Sequence, residues 1–234
     1  MTEVNAAADA APEVLRISID AKATVKVGPF ARGGKSRIPT EAADHDFQPV
    51  ATMTPVGIFL PTLDELFLYG IVSKVTSDCV VDCLVQWWET VQARFPHITT
   101  LVINLDNGPE THSRRTQFMQ RIVEFVQKYR LTVRLAYYPP YHSKYNSIER
   151  CWGILENHWN GSLLDSVDVV LRFATTMTWK GRHPMVELVT TIYQTGVKLT
   201  KEAMDQVEAQ ITRLPNLGKW FVDIVPRASR VRTT

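Results

Sequence analysis

The sequence predicts an α/β fold in which helices flank a mixed sheet of five strands and further helices follow toward the carboxyl terminus. Three observations lead to this prediction. The first third of the chain alternates apolar and polar residues with the period of two that is typical of strands. Later segments repeat apolar residues at the period of amphipathic helices, and short β-rich runs separate these segments. Consecutive strands pair antiparallel, whereas strands joined through a helix are parallel, so the sheet is mixed.

Length and composition restrict the classes of protein that fit. The chain has 234 residues, of which 45% are hydrophobic and 21% charged, so a core can form and wholesale disorder is excluded. No apolar run approaches the roughly 18–20 residues that cross a bilayer. The start lacks the features of a signal peptide, so we expect a cytoplasmic protein with no membrane partner. A net charge of +2 means that any contact with nucleic acid is local, and the three cysteines predict buried thiols.

The alternation in the first third predicts a three-stranded antiparallel meander. Asp20 falls on the polar face of the first strand, near its end or near a hairpin. Residues 28–50 contain Gly and Pro at several positions and predict a long loop. The strand segments are residues 15–20 with their continuation at 24–27, residues 56–60 and residues 66–72.

Helices and strands alternate in the middle of the chain. Ser77 can cap a helix whose apolar residues recur with the helical period up to Phe95. The next strand, at 100–106, ends in an Asp-Asn-Gly-Pro turn, which leaves Asp106 at a carboxyl edge where sites of α/β proteins collect. The following elements are a helix over about 118–129, a strand at 131–138 and a helix from about Asn146.

This pattern divides the chain into four parts. We expect a disordered lead at 1–13, the α/β core at 14–160, a helical extension at 161–222 and a basic tail at 223–234. The clearer helices of the extension are predicted at 166–179 and 198–213.

Three carboxylates, Asp20, Asp106 and Glu149, occupy positions that can carry chemistry. If the first and fourth strands are neighbours, the two aspartates point the same way, and a helix across the sheet can bring Glu149 onto them. Three carboxylates at such short distances repel one another. Hard divalent ions such as Mg²⁺ or Mn²⁺ would neutralise their charge. Two such ions can promote in-line displacement at a phosphodiester.

Each carboxylate also has a purely structural interpretation. Asp20 can be a solvated residue at a strand end, and Asp106 can be a turn former. Asn146 and Glu149 can form a capping box, in which the glutamate binds back to the amide of the cap residue. The joint occurrence of all three at the predicted positions is what favours a site.

Three segments carry a resemblance to a known family. They are RISIDAKATVKVGPFARGGKSR at 16–37, VINLDNGPETHSRRTQF at 102–118 and YYPPYHSKYNSIERCWGILENHWNG at 137–161. With these segments the chain resembles the DDE transposases of bacterial insertion sequences. Within them it is similar to the ISAzo-type family, which is related to mariner-like transposases. The resemblance runs from about residue 14 to the region of Trp220.

The resemblance implies a ribonuclease H-like fold with Asp20, Asp106 and Glu149 as a catalytic triad that binds two Mg²⁺ or Mn²⁺ ions. It implies metal-dependent cleavage and transfer of DNA strands, with transposon ends and target DNA as partners and a possible homo-oligomer on DNA. Two features depart from related enzymes: the 42 residues between Asp106 and Glu149 exceed the mariner-like spacing, and Ser147 replaces a frequent proline. Only 13 residues precede Val14, too few for the family's helix-turn-helix region, so we expect a shortened catalytic domain.

Basic residues near the triad are candidates for contact with DNA phosphates. The candidates are Lys22, Arg32, Lys35, Arg37, Arg114, His142 and Lys144. Arg32, Lys35 and Arg37 lie in the Gly-rich loop, a composition that suits a phosphate track. Arg114 begins a stripe that continues with Arg121 and Lys128, although such stripes are usually solvated helix flanks. The last two precede the final core helix and can contact a phosphate or the attacking water.

Two alternatives to an active transposase remain open at this point. A metal-dependent nuclease of the same fold would use the same triad. A truncated and inactive remnant would bind only DNA or other subunits.

Overall fold

The computed structural model describes residues 1–30, 32–36, 39, 41–42, 48–139 and 145–228. The helices in these ranges are α1 (Thr2–Ala10), α2 (Ser77–Val91), α3 (Thr116–Tyr129), α4 (Glu149–Trp159), α5 (Val167–Thr176) and α6 (Lys201–Glu208). The strands are β1 (Val14–Ala21), β2 (Val25–Val27), β3 (Ala51–Leu60), β4 (Glu65–Ile71), β5 (Thr100–Leu105), β6 (Thr132–Tyr137), β7 (Met185–Val189), β8 (Ile211–Arg213) and β9 (Phe221–Ile224). Across the described parts of the chain, none of the helices combines the length and apolar character that crossing a membrane requires.

The strands form one mixed sheet in the order β7-β4-β3-β1-β5-β6-β9-β8, and β2 pairs with β3 beside it. β3 is antiparallel to both β1 and β4, whereas β5 is parallel to β1 and to β6. The five predicted strands are therefore the central ones, and the predicted mixture of strand directions is confirmed. The continuation at 24–27 is the separate short strand β2, which pairs with the beginning of β3.

The two faces of the sheet pack against different helices. Ile17 and Ile19 of β1 belong to the larger apolar cluster, which α2 and α3 close on one face. On the other face, β3 and β4 pack against α4 and α5 in a second apolar cluster. The same face carries α1 over β5 and β6, where Ala8 contacts Val102. Because side chains alternate along a strand, the polar residues of β1 lie on the face of α1 and α4.

The prediction of a disordered lead at 1–13 is wrong, because residues Thr2–Ala10 form α1. Both carboxylate oxygens of Asp9 accept hydrogen bonds from the guanidinium of Arg16, each at 2.7 Å. Arg16 is buried on the sheet, and a buried charge requires a partner, which α1 supplies. The alanine-rich segment lacks the apolar periodicity that identifies a helix in a sequence.

The prediction of a mainly helical extension at 161–222 missed three strands. α5 and α6 lie within the two predicted helices, but β7 joins β4 at one edge of the sheet, and β9 and β8 extend it beyond β6. These strands have three to five residues, too few for alternation to identify them. β9 includes Asp223 of the expected basic tail, which pairs with Arg134 of β6 at 2.7 Å.

Candidate functional site

Asp20 and Asp106 lie side by side at the carboxyl ends of two neighbouring parallel strands. The last register pair between β1 and β5 is Ser18 with Asn104. Asp20 lies two residues further along β1, Asp106 follows β5 directly, and the charge of Asp106 is close enough to raise the pKa of Asp20. The Asp106 carboxylate accepts a hydrogen bond from the Gly108 amide at 3.1 Å, so the aspartate also shapes the predicted turn. Both aspartates line a cavity of about 330 Å³ at this edge of the sheet.

Glu149 is the first residue of α4, and the capping box considered for it does not form. The Asn146 side chain is buried against β1 instead, where it accepts a hydrogen bond from the Ser18 hydroxyl. It also donates to the Ile19 carbonyl oxygen at 3.5 Å. The helix begins after Ile148 without a side-chain cap, so the Glu149 carboxylate has no capping role.

Burial and neighbouring charges raise the pKa of two of the carboxyl groups, Asp20 and Glu149. Burial raises the pKa of Asp20 to about 7, and the charges of Asp106 and Glu149 contribute to the rise. The indole N–H of Trp152 donates to Asp20 at 2.7 Å and opposes this rise in pKa. Burial and Asp106 also raise the pKa of Glu149, whereas the charge of Lys22 lowers it. Negative charge is thus concentrated at the sheet edge, and full ionisation is unfavourable without a cation.

The residues present fit a hard divalent cation in type and in charge. Carboxylate oxygens are the ligands that Mg²⁺ and Mn²⁺ prefer, and a bound cation would remove the mutual repulsion described above. Within the described residues, no three His, Cys, Asp or Glu side chains already lie close enough to one point to hold an ion.

Helix α4 approaches the sheet closely because β3 has a glycine beneath it. Gly57 pairs with Asp20 in the register of β1 and β3. A Cβ atom at position 57 would lie 2.6 Å from the Trp152 ring and 2.7 Å from Ile148, closer than real side chains allow. The close approach places the Trp152 indole at hydrogen-bond distance from Asp20. Trp152 is buried, as expected of a core residue, yet it also binds a carboxylate of the site.

Lys22, which follows Asp20 by two residues, and Arg32 share one counter-ion. Both bind Glu156 of α4, Lys22 at 2.7 Å and Arg32 at 2.8 Å. Both also lie over the ring of Trp159, at 5.8 and 5.3 Å from its centroid. The three charged residues line a cavity of about 390 Å³ together with Lys26. One carboxylate faces several cations here, so the cavity carries net positive charge.

The other basic candidates are either exposed or outside the described residues. Lys35 and Arg114 are exposed, and Arg37, His142 and Lys144 lie outside the described residues. Arg114 precedes α3 and is not part of it. Along α3, ion pairs with the neighbouring helix α2 neutralise the rest of the stripe, which agrees with the structural interpretation of these cations. The pairs are Arg121 with Asp78 and Asp82, and Lys128 with Glu89.

The sequence did not identify four residues as part of the site: Ser18, Gly57, Asn146 and Trp152. Trp152 follows Glu149 by three positions and therefore shares its face of the helix, which is a usable signal. Gly57 interrupts an apolar strand, and such a glycine often marks a close approach of another group. Ser18 shares the face of Asp20 through strand alternation. Nothing in the sequence indicates that Asn146 binds β1 instead of capping α4.

Comparison with known proteins places the chain among transposases. The family described as the Rhodopirellula transposase DDE domain matches residues 2–226. Two solved structures are similar: the Mos1 transposase paired-end complex with left transposon end, at 11% identity and a TM-score of 0.47, and the Mos1 mariner paired end complex with Mn, at 11% and 0.48. Each similarity covers 68% of this chain and 46% of the Mos1 chain, so the chain spans less than half the length of those chains. No curated protein matches.

The family match extends over nearly the whole chain, including all three carboxylates. The expected α/β fold, with a mixed sheet flanked by helices, is confirmed, and so is the resemblance to DDE transposases. The chain belongs to the family of Rhodopirellula transposase DDE domains.

Proposed function

We propose that the chain is the catalytic domain of a transposase that cleaves DNA at the ends of a mobile element and joins the freed 3′ hydroxyl to target DNA. Asp20, Asp106 and Glu149 hold two Mg²⁺ or Mn²⁺ ions in this proposal. The observation that carries it is the electrostatic coupling of these three carboxylates, two of them adjacent at the carboxyl edge of the sheet.

The chemistry that such ions supply is activation of a water or a 3′ hydroxyl for in-line attack on a phosphodiester, with stabilisation of the leaving oxygen. The chain contributes the ligands and their placement. The Gly108 amide fixes one oxygen of Asp106, and the Trp152 indole fixes one oxygen of Asp20. Helix α4 packs against Gly57 through Ile148 and Trp152, and Glu149 at the start of this helix is close enough to Asp106 for that charge to raise its pKa. No covalent bond between protein and DNA is needed, because water and then the 3′ hydroxyl are the nucleophiles.

The DNA backbone crosses the site beside Lys22 and Arg32 in this proposal. Lys22 is close enough to Glu149 to lower its pKa, so a phosphate bound by Lys22 lies near the metal ions. Arg32 extends the positive surface away from the triad, and exposed Lys35 continues it. Cations placed in this way neutralise phosphates without reading the base sequence. Arg37, Arg114, His142 and Lys144 remain proposed contacts.

We also propose that copies of the chain assemble on DNA. A mobile element has two ends, and both must be cleaved and joined to one target. Two active sites held in one complex satisfy this requirement, and the DNA itself can bring the copies together.

The test is a titration of purified protein with Mn²⁺ and with Mg²⁺, comparing wild type with Asp106→Ala. We expect metal to raise the melting temperature of the wild type and to support nicking of supercoiled plasmid and joining of an oligonucleotide 3′ end. Asp106→Ala should lose all three responses while it remains folded. Asp205→Ala is the matched control, because Asp205 is an exposed aspartate on α6.

The alternatives give different results in the same experiment. Nicking without any joining would identify a metal-dependent nuclease of this fold. A wild-type protein that binds DNA but responds to neither metal would be an inactive remnant. Full activity in Asp106→Ala would contradict the assignment of the triad.

A further inference from the structure

A buried pair of polar side chains connects β1 to the start of α4. The Ser18 hydroxyl donates to the side-chain oxygen of Asn146, and both side chains are almost completely inaccessible to solvent. The Ser18 oxygen also lies 3.4 Å from the Ile148 amide, and the Asn146 side-chain amide donates to the carbonyl oxygen of Ile19. Two polar side chains and two backbone groups thus form one network between the strand and the helix.

The position of this network relates directly to the triad. Ser18 precedes Asp20 by two residues on the same face of β1, and Asn146 precedes Glu149 by three residues. The network therefore joins the strand that carries Asp20 to the segment that carries Glu149. In the proposed function these two carboxylates bind the same metal centre. It also meets the first turn of α4, which has no side-chain cap of its own. An uncapped first turn frays unless other contacts hold it.

We propose that Ser18 and Asn146 are positioning residues of the metal centre, which fix the first turn of α4 so that Glu149 is held near Asp20. The inference rests on the proposed function, because the metal centre is part of it. The pair does not contact the reacting groups and acts through the two carboxylates. Groups that orient metal ligands in this way typically change metal affinity by about 10–100-fold when they are removed.

The test measures metal affinity and the order of α4 separately. Isothermal titration calorimetry with Mn²⁺ alone gives the dissociation constant, and hydrogen exchange gives the protection of the amides at 146–152. The variants are Ser18→Ala, Asn146→Ala and the double substitution. The control is Ile122→Val, a truncation in α3 on the opposite face of the sheet. Ser18→Ala removes one oxygen and keeps the strand, so it remains informative if Asn146→Ala fails to fold.

We expect Ser18→Ala to weaken Mn²⁺ binding about tenfold or more and to speed amide exchange at 146–152, while α2 and α3 keep their protection. In the double substitution the loss of binding free energy should be smaller than the sum of the two single losses, because both single changes remove the shared Ser18–Asn146 hydrogen bond. Ile122→Val should lower the melting temperature without either change.

Two results would overturn the inference. One is a Mn²⁺ dissociation constant in Ser18→Ala within twofold of wild type; the other is unchanged amide exchange at 146–152. If the wild type itself binds no Mn²⁺, the proposed function fails at its metal site. The exchange measurement then still decides whether the pair holds α4 in place, so the two failures are distinguishable.

Discussion

The two faces of the sheet use the same strand in opposite ways. Toward α2 and α3, β1 presents Ile17 and Ile19 to a continuous apolar cluster. Toward α1 and α4, it presents Arg16, Ser18 and Asp20. Their side chains form hydrogen bonds with those of Asp9, Asn146 and Trp152, respectively. The first face provides the driving force for folding through apolar burial. On the second face, burying polar groups lowers the stability that apolar burial would provide. The resulting polar contacts fix groups of the candidate site.

This difference shows which face of the sheet depends on exact side-chain geometry. An apolar face tolerates changes of shape if volume is conserved, whereas a buried polar network depends on each partner. The polar face is also harder to predict from sequence, because the hydrogen bonds of Ser18 and Asp20 join residues more than 120 positions apart. The following changes test whether the two faces behave differently in this way.

The largest effect is expected from Gly57→Val. The new side chain would meet the Trp152 ring and Ile148 at distances that neither can accommodate, so α4 must move away from the sheet. We expect Mn²⁺ affinity and plasmid nicking to fall about 100-fold, the upper end of the range for losing groups that orient ligands, together with a lower melting temperature. Calorimetry and a nicking assay check this.

Gly153→Ala is the matched control for that change. Gly153 lies on α4 as well, and a Cβ there would have no atom within 4 Å. Replacing a helical glycine by alanine stabilises by up to about 1 kcal/mol, so the control should melt at the same or a higher temperature and keep its metal affinity. Wild-type activity in Gly57→Val would show that the close approach of α4 is not required.

A smaller effect is expected from Trp152→Phe, and it concerns pH. The indole hydrogen bond holds down the pKa of Asp20, which is nevertheless raised to about 7 by burial and by the other two carboxylates. An unfolded aspartate ionises near 3.8, so between these values the folded state binds more protons. The metal-free protein should therefore lose stability as pH rises from about 4 to about 7. Without the indole, the loss should extend to higher pH.

The pH midpoint of Mn²⁺ binding should rise in Trp152→Phe by about one unit, since a hydrogen bond to a charged group contributes about 1.5–3 kcal/mol and a pKa unit about 1.4 kcal/mol. Calorimetric titrations across pH measure it. Trp87→Phe is the control on the other face, because the Trp87 indole N–H has no hydrogen-bond partner among the described residues. An equal shift of the midpoint in both variants would contradict a specific role of Trp152.

The two faces also explain how much could be predicted from the sequence. Periodicity reports burial, and it therefore predicted the central strands, the helices that cover them and the positions of Asp20 and Asp106 at strand ends. It did not predict α1, which is held by an ion pair to Arg16, or the short strands at the sheet edges. Asparagine is a residue type that often caps helices, so the sequence favours a capping role for Asn146. Only the tertiary fold brings its side chain to Ser18 instead.

The smallest effect is expected from Glu156→Gln, and it compares two groups of cations. On α3, Lys128 is paired with Glu89 of α2, on the opposite face of the sheet from α4. Beside the triad, hydrogen bonds from Lys22 and Arg32 hold the pKa of Glu156 low although burial opposes this, so the glutamate is ionised and competes with DNA phosphates for both cations. Removing its charge leaves the packing over Trp159 and frees positive charge for DNA.

Glu156→Gln should therefore bind DNA about three- to tenfold more tightly at moderate salt, and its affinity should fall more steeply with salt, by up to about 0.9 in the log–log slope for each additional phosphate that the protein neutralises. Fluorescence anisotropy with a labelled duplex at several salt concentrations measures both. Glu89→Gln makes the same change beside Lys128 and should alter neither quantity if DNA passes only along the polar face. An equal increase in affinity in both variants would mean that general charge governs binding, and a loss in Glu156→Gln alone would mean that the glutamate holds Lys22 and Arg32 in the geometry that DNA requires.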